Sequence, residues 1–574
     1  MMNNSDKDQI NNSRLPSGVS DFSKLITGQY QFADKSLFIK EIMENGAEVI
    51  LITRPRRFGK TLNLSMLYYF LQLNHSQEGN LFEDLVISAD ATFCKKHQQR
   101  YPVIFISFKD VKKSSYQAAY GDIVELIRQL YEHNRYLLAG DLLSASEKQT
   151  YNLLLDQEAA QANVESAIKQ LSLYMTRKFK QTPILLIDEY DTPIQEAYLR
   201  GYYLEMIDLM RSIMGQALKD NTSLHKAILT GITRVAQESL FSGVNNLEVY
   251  SLLREEYGQY FGFSEAEVVK FITNTGHEVS LQSIKEWYNG YQVGKYTLYN
   301  PWSIIGCLKS HGKLGPYWIN TSSNALIHEL LASASSIVRQ QFEKLLQGIE
   351  VEQPLIENLV FPDLKKKTGA LWSLLLYAGY LNVSSTERRG HLLMAKISIP
   401  NKEIMYGYDE IIEQWFSDTI SLESYLSFTQ SLSQGDVATF KLRLSEYLIQ
   451  TGSYFDFNKN TPEQVFHSFM LGLVVGLKDN YIIQSNQESG LGRFDVIFIP
   501  KDKDTKSKIN GILLEFKTSN TTKLLPSKAQ EALEQIKNQQ YTQLFKQHDV
   551  TSVLAIGIAF CGKQLGLAYE TLDI

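Results

Sequence analysis

The chain has 574 residues, of which 44% are hydrophobic and 21% are charged, and its formal net charge is −6. A chain of this length is expected to form roughly two to four domains, and its composition excludes a wholly disordered protein. The net charge excludes nucleic-acid binding through overall charge, so any such contact needs local basic patches.

Cysteine usage and apolar runs indicate a cytoplasmic protein with no membrane contact. Cys94, Cys307 and Cys561 are far apart and form no C-x-x-C pair, which argues against a zinc site or a disulfide framework. Residues 1–14 are polar and contain no secretory-type apolar run, so we expect a flexible tail there. Apolar runs such as 469–477 are far shorter than the roughly 20 residues of a membrane span.

The stretch 49–61, V-I-L-I-T-R-P-R-R-F-G-K-T, predicts a phosphate-binding loop. Its aliphatic start is typical of a buried strand, and helical spacing follows Thr61. In this context a helix N-terminus offers N–H groups, Lys60 offers a charge for the β- and γ-phosphates, and Thr61 offers a hydroxyl for Mg²⁺. ATP and Mg²⁺ are the expected cofactors. The predicted nucleotide-binding residues of this loop are Arg54, Pro55, Arg56, Arg57, Phe58, Gly59, Lys60 and Thr61.

Two alternatives stay open at this loop. Arg54 stands where the generic loop G-x-x-x-x-G-K-[ST] has glycine, and a Gly-Lys-Thr tripeptide is common by chance, so an ordinary strand-to-helix turn is the alternative. The aromatic lead-in with Tyr30 and Phe32 can contact an adenine ring or simply pack onto the domain core. We favour packing for the lead-in.

A second part of the same site follows in 182–191, T-P-I-L-L-I-D-E-Y-D. Its apolar strand ends in Asp188, which would hold the Mg²⁺ shell, and Glu189, which would polarise the attacking water. An apolar strand ending in Asp-Glu is weak evidence alone, but downstream of a phosphate-binding loop it favours an ATPase.

A further strand, 227–229, runs into T-G-I-T-R. Thr230, Thr233 and Arg234 lie at its C-terminal edge, where open α/β sheets bind ligands. One of these residues senses the γ-phosphate, or the segment is only a capped turn, and the sequence does not separate the two. Several buried strands separated by helices predict a mostly parallel α/β sheet.

The region 263–441 contains all five tryptophans of the chain. Aromatic side chains at this density can stack on nucleic-acid bases. A buried core is favoured, because large apolar side chains at helical spacing are the ordinary way to build a lid or winged-helix module. We assign no chemistry to this region.

Near the C-terminus, Asp495 lies on one predicted strand, and Glu515 and Lys517 lie on the next. Strand alternation places Glu515 and Lys517 on the same face, and adjacent strands can bring Asp495 beside them. Two carboxylates suit Mg²⁺, which activates water for phosphodiester cleavage, while a lysine orients the nucleophile. Gln535 on the following helix can steady the lysine or the water. The alternative is a hairpin with a solvated ion pair, because E-x-K is frequent by chance.

Several sequence motifs resemble those of a known family. R-P-R-R-F-G-K-T, L-L-I-D-E-Y-D-T-P-I, L-T-G-I-T-R and R-E-E-Y-G-Q-Y-F-G-F resemble the bacterial AAA-ATPase-like family whose members carry a C-terminal PD-(D/E)XK nuclease domain. The loop differs from the generic one at Arg54 but agrees with that family's version. The resemblance implies ATP hydrolysis. In the C-terminal part, the order of Glu463, Asp495, Glu515, Lys517 and Gln535 resembles the nuclease core, which implies that Glu463 is catalytic.

These patterns predict a tail at 1–14, an α/β ATPase domain at 15–262, a mainly helical lid or winged-helix module at 263–441 and a restriction-endonuclease-like α/β domain at 442–574. The predicted function is a P-loop ATPase that controls an Mg²⁺-dependent endonuclease, in defence or mobile-element biology. The partner is nucleic acid, DNA being favoured over RNA, and a homo-oligomer is left open. The alternative is an ATP-dependent signalling switch or scaffold whose nuclease-like domain binds nucleic acid or a partner without cutting.

Six lysines of the C-terminal domain are either phosphate contacts or a solvated surface, namely Lys501, Lys503, Lys506, Lys508, Lys523 and Lys528.

Overall fold

A computed structural model describes most of the chain in two compact units. One unit comprises Met1–Leu330 with Glu350–Ile404, and the other comprises Leu331–Ile349 with Met405–Ile574. The predicted division into three domains stays a prediction. The described residues are 14–73, 80–233, 240–241, 244, 246–319, 325–332, 336–346, 348–364, 366–408, 421–450, 466, 469–470, 473–474, 477, 480–485, 488–489, 492–493, 495–501, 511–538, 545–546, 548 and 550–573.

The first unit is built on a five-stranded parallel sheet, which confirms the predicted α/β class. Its strand order is β2-β3-β4-β1-β5. The strands are β1 (Val49–Thr53), β2 (Val103–Ser107), β3 (Ile184–Asp188), β4 (Lys226–Gly231) and β5 (Leu247–Tyr250). β1, β3 and β4 are buried along their whole length, as unbroken aliphatic runs predict for the central strands of a parallel sheet.

Helices connect these strands and complete the core. Phe22 and Phe70 pack in one hydrophobic cluster with Ile52 of β1 and Leu186 of β3. Phe22 of the lead-in is therefore part of the core, and Phe32 is partly buried against the same cluster. The helices are α1 (Phe22–Thr27), α2 (Leu37–Glu44), α3 (Lys60–Leu71), α4 (Ala91–His97), α5 (Tyr116–His133), α6 (Ala145–Leu155), α7 (Gln161–Phe179), α8 (Thr192–Arg200) and α9 (Tyr203–Leu218).

The middle region is mainly helical and also carries small antiparallel sheets. Strand β6 (Tyr291–Val293) pairs with β7 (Tyr296–Leu298). A three-stranded sheet has the order β8-β10-β9, with β8 (Val351–Leu355), β9 (Asn382–Arg389) and β10 (Leu392–Ser398). The helices are α10 (Glu265–Thr275), α11 (Leu281–Tyr288), α12 (Pro301–Lys309), α13 (Ala325–Ala332), α14 (Ser336–Leu346) and α15 (Thr368–Ala378).

The tryptophans of this region fall into different environments. Trp318 and Trp372 are fully buried, as the core interpretation predicts. Trp287 and Trp302 are half-buried, and Trp415 lies outside the described residues.

The second unit contains a five-stranded mixed sheet in the order β11-β14-β15-β16-β17. Strands β15 and β16 are parallel, and the other pairs are antiparallel. The strands are β11 (Tyr481–Ser485), β14 (Val496–Pro500), β15 (Gly511–Thr518), β16 (Ser552–Cys561) and β17 (Gln564–Asp573), and β12 (Glu488–Ser489) pairs separately with β13 (Gly492–Arg493).

Apolar layers cover both faces of this sheet. Leu514 and Phe516 pack on one face with Phe440, which lies in the helix Val437–Gln450. Leu513 packs with Leu533 on the other face. The helices are α16 (Leu422–Gln434), α17 (Val437–Gln450) and α18 (Leu525–Asn538). Within the described parts of both units, no helix combines the length and apolar composition that crossing a bilayer requires.

Candidate nucleotide and metal-ion sites

The predicted phosphate-binding loop joins β1 to α3. Gly59 caps α3 with φ 87°, and a Cβ added there would meet nothing within 4 Å, so the loop is open at this point. Lys60 is 4% exposed, and its Nζ donates to the carbonyl oxygens of Arg54 at 3.1 Å and Pro55 at 3.0 Å. Arg57 has φ 67°, a left-handed conformation that is costly for a residue other than glycine.

The two residues predicted to hold the Mg²⁺ shell are in direct contact. Thr61 Oγ1 donates to Asp188 Oδ2 at 2.8 Å, and Thr230 Oγ1 donates to Asp188 Oδ1 at 2.7 Å. Burial raises the pKa of Asp188, whereas the hydrogen bonds from Thr230 and Thr61 and the charge of Lys60 lower it. Asp188 therefore lies at the junction of the loop and the ends of β3 and β4.

Glu189 follows Asp188 in a left-handed turn with φ 49°. Its side chain is half-buried, and Thr192 Oγ1 donates to its Oε2 at 3.2 Å. Burial lowers the pKa of the Lys60 ammonium, and the charges of Glu189, Asp188 and Asp191 counter that lowering. The acidic turn and the loop lysine thus form one electrostatic cluster.

The side chain of Arg54, a predicted nucleotide-binding residue, contacts main-chain carbonyl oxygens. Its guanidinium is fully buried and donates to the carbonyls of Thr53 and Tyr250, both at 2.8 Å, and to that of Glu256 at 3.2 Å. It also lies 5.2 Å from the ring centroid of Phe261, and burial lowers its pKa to about 9. The arginine at the first loop position therefore ties the end of β1 to the end of β5, and the cation faces carbonyl oxygens.

A cavity of ≈ 500 Å³ lies at this loop, which is the size range of small-molecule sites. Its apolar part is formed by the lead-in and by residues far along the chain, including Phe32, Phe263, Trp302 and Ile305. The guanidinium of Arg57 lies 4.3 Å from the centroid of Trp302. Sequence spacing gave no signal for Trp302. Of the predicted residues, Arg56, Arg57, Phe58, Gly59, Lys60, Thr61 and Glu189 line the cavity.

The polar residues after β4 are engaged with carboxylates. Thr230 donates to Asp188, and Thr233 Oγ1 donates to Asp191 Oδ2 at 2.9 Å. Both hydroxyls therefore organise the acidic turn, which favours the capping interpretation for these two residues. Arg234, the third candidate, lies outside the described residues.

The C-terminal candidates meet at the start of β14. The main-chain N–H of Phe516 donates to Asp495 Oδ2 at 2.6 Å, which places Asp495 beside Glu515. Glu515 is 2% exposed, and Gln535 Nε2 donates to its Oε1. Lys517 is half-buried on the same face of β15 as Glu515.

Close packing of α18 brings Gln535 to this position. Gly557 of β16 pairs with Glu515 of β15. A Cβ added at Gly557 would lie 2.3 Å from the carbonyl oxygen of Ala529 and 2.6 Å from the nitrogen of Leu533. The missing side chain therefore allows α18 to lie directly against the sheet. Gly557 is a residue of this site that the sequence analysis missed.

Glu531 is a second missed residue. It lies one helical turn before Gln535, so both share a face of α18. The hydrogen bond from Lys528 lowers the pKa of Glu531, and the charge of Lys517 lowers it further. The Lys517 ammonium thus has an acidic neighbour on the helix.

Two family models match separate parts of the chain. Residues 16–241 match the family described as a predicted AAA-ATPase, and residues 461–570 match the PD-(D/E)XK nuclease superfamily. The chain joins an AAA-ATPase-like domain to a PD-(D/E)XK nuclease superfamily domain. An "Uncharacterized protein in vnfD 5′ region" of Azotobacter chroococcum mcd 1 is 25% identical over 401 residues, which cover 70% of each chain. The Walker-type ATPase PABY2304 of Pyrococcus abyssi shows a weak structural similarity, with a TM-score of 0.36 and 11% identity over 70% of this chain and 99% of that one.

The nuclease superfamily domain has a donor set that fits a hard cation. Asp495 and Glu515 offer carboxylate oxygens, which Mg²⁺ prefers together with water. In the described part of the chain, no group of three or more metal-ligating side chains occurs, and Glu463, the further acidic candidate, lies outside it. Lys501 and Lys523 are exposed and Lys528 is half-buried, whereas Lys503, Lys506 and Lys508 lie outside the described residues.

Proposed function

We propose that the AAA-ATPase-like domain binds and hydrolyses ATP with Mg²⁺. The supporting observation is that Lys60, Thr61 and Glu189 line one cavity while Thr61 is hydrogen-bonded to Asp188. Thr61 and Asp188 would hold the ion, which neutralises charge on the transferred phosphoryl group when bound. Lys60 binds the β- and γ-phosphates, and Glu189 accepts a proton from the attacking water.

We further propose that the nuclease superfamily domain cleaves DNA with Mg²⁺. Support comes from two hydrogen bonds, one from the Phe516 N–H to Asp495 and one from Gln535 to Glu515, with Lys517 on the same face of β15 as Glu515. Asp495 and Glu515 would hold the ion, which supplies an activated water and neutralises developing charge. Lys517 orients the nucleophile, and Gln535 fixes the Glu515 carboxylate. Defence or mobile-element biology is the proposed setting.

Nucleotide control of cleavage is the third part of the proposal. A ligand shifts a conformational equilibrium only if it binds two arrangements with different affinity. The region 263–441 lies between the two domains in the sequence, which makes it the candidate for that rearrangement.

The test is cleavage of plasmid, linear duplex, single-stranded DNA and RNA at fixed Mg²⁺, with and without ATP. Glu515→Ala and Asp495→Ala should abolish cleavage and leave ATP binding intact. Glu534→Ala is the control, because Glu534 is an exposed carboxylate on α18, the helix that carries Gln535. Lys60→Ala should change cleavage without altering Mg²⁺ dependence.

Three outcomes would decide against parts of this proposal. Cleavage that survives Glu515→Ala would refute the nuclease site. Equal cleavage by the parent and Lys60→Ala under every nucleotide condition would refute nucleotide control. Nucleic-acid binding without any cleavage would favour the scaffold alternative.

A further inference from the structure

The turn that carries Glu189 is held by a buried carboxylate with no place in the chemistry proposed above. Asp191 is fully buried. Its Oδ2 accepts hydrogen bonds from the N–H groups of Ile232 at 3.0 Å and Thr233 at 2.9 Å. It also accepts from Thr233 Oγ1 at 2.9 Å and from Gln195 Nε2 at 2.8 Å. A buried carboxylate requires such donors, and three of the four belong to the segment after β4.

Tyr190, between Glu189 and Asp191, holds the same segment. Its N–H donates to the carbonyl of Thr230 at 3.2 Å, and its hydroxyl donates to the carbonyl of Thr233 at 2.7 Å. Tyr190 is fully buried, so these bonds are made away from water. Tyr190 and Asp191, the two residues that follow Glu189, therefore both form hydrogen bonds with the end of β4 and the segment after it.

The fit between the two segments is close. A Cβ added at Gly231 would lie 2.7 Å from Asp191 Oδ1 and 2.7 Å from Tyr190 Cε1. Real Cβ atoms essentially never come nearer than 3.0 Å to a neighbour. The turn after β3 therefore packs directly against the end of β4.

We propose that Asp191 is a positioning residue for ATP hydrolysis, with Tyr190 and Thr233 as its partners. Glu189 adopts a left-handed φ of 49°, which a residue other than glycine keeps only when its surroundings impose it. The Asp191 and Tyr190 contacts impose that conformation and direct the Glu189 side chain to the cavity that it lines. Asp191 itself is not among the described residues that line this cavity. The inference rests on the proposed hydrolysis of ATP with Glu189 as the base.

This role predicts a loss of turnover without a loss of nucleotide affinity. Asp191→Asn keeps the shape but weakens the charge-assisted bonds, and we expect kcat to fall about 10-fold. Asp191→Ala removes the bonds, and we expect a fall of about 100-fold, the size reported for misplacement by about 1 Å. The Kd for ATP, measured by calorimetry, should stay within about twofold of the parent value, because the residues proposed to contact the phosphates are unchanged.

Thr233 gives a matched pair that separates positioning from general stability. Thr233→Val is isosteric but lacks the hydroxyl that donates to Asp191, so kcat should fall. Thr233→Ser retains the hydroxyl and should turn over ATP close to the parent rate. Tyr190→Phe removes the bond to the Thr233 carbonyl and should lower kcat with an unchanged Kd.

Glu189→Gln is the reference variant that separates the proposed ATP hydrolysis from the positioning role of Asp191. If Glu189→Gln abolishes turnover while Asp191→Asn and Thr233→Val keep the parent kcat, the positioning role is refuted and the ATPase stands. If kcat in the Asp191 variants falls only in proportion to the folded fraction seen in thermal unfolding, the positioning role is also refuted. A folded parent that binds ATP but does not hydrolyse it would refute the proposed hydrolysis, and the positioning role with it.

Discussion

Replacing Gly557 by alanine is expected to damage the candidate nuclease site without touching any residue that would bind metal. The new Cβ would lie 2.3 Å from the carbonyl oxygen of Ala529, whereas real Cβ atoms essentially never approach closer than 3.0 Å. It would also lie 2.6 Å from the nitrogen of Leu533. Both atoms belong to the backbone of α18, so rotation of a side chain does not relieve the contact. Helix α18 must therefore withdraw from the sheet by roughly 0.7 Å.

This withdrawal would separate Gln535 from Glu515. We expect the overpacking to lower the free energy of unfolding by about 1–3 kcal/mol. We expect Mg²⁺-dependent cleavage to fall about 10- to 100-fold, because displacements near 1 Å can cost about 100-fold in rate. The assay is initial-rate cleavage of plasmid DNA beside urea unfolding monitored by circular dichroism.

Gly566→Ala is the matched control. Its Cβ would lie 2.7 Å from the carbonyl oxygen of Leu525, so it overpacks the same helix at its first residue, far from Gln535. The control should lose comparable stability and retain more cleavage than Gly557→Ala. Parent-level cleavage and unchanged unfolding for Gly557→Ala would refute the reasoning.

Three further changes test other contacts. Lys60→Ala should raise the Kd for ATP at least about 10-fold in calorimetry, because it removes the charge facing the phosphates; an unchanged Kd would contradict the loop assignment. Arg54→Met should lower the free energy of unfolding by about 3 kcal/mol in urea, because it leaves the carbonyls that accept from Arg54 buried without a hydrogen-bond donor. Glu403 is buried beside Ser303 and Trp318, and burial raises its pKa to about 7. Because that value lies above the unfolded pKa near 4.3, the stability that Glu403 contributes should be fully present below about pH 4 and fall by about 3 kcal/mol as pH rises to 7. Glu403→Gln should abolish this slope, and a slope that persisted would assign it to other groups.

Local sequence patterns were sufficient to predict a strand and the position of the residues at its end. Aliphatic runs predicted β1 and β3, and the residues at their ends predicted that Thr61 and Asp188 lie together, as their hydrogen bond shows, because parallel strands present their C-terminal ends at the same edge. Local patterns were insufficient to predict the environment of Arg54. Its partners Tyr250 and Glu256 become its neighbours only because β5 pairs with β1. In the sequence, Arg54 is only a departure from the generic loop, whereas in the structure its guanidinium donates to main-chain carbonyl oxygens.

The two strand glycines show which sequence signal was overlooked. Glycine in a strand weakens it and often marks the close approach of another backbone. Gly231 ends β4 against the turn that carries Glu189, and Gly557 lies opposite Glu515 under α18. At both positions a side chain would push away the element that orients a candidate catalytic carboxylate. A glycine inside an otherwise aliphatic strand therefore predicts close packing at these sites, and the residue types of the motifs alone do not.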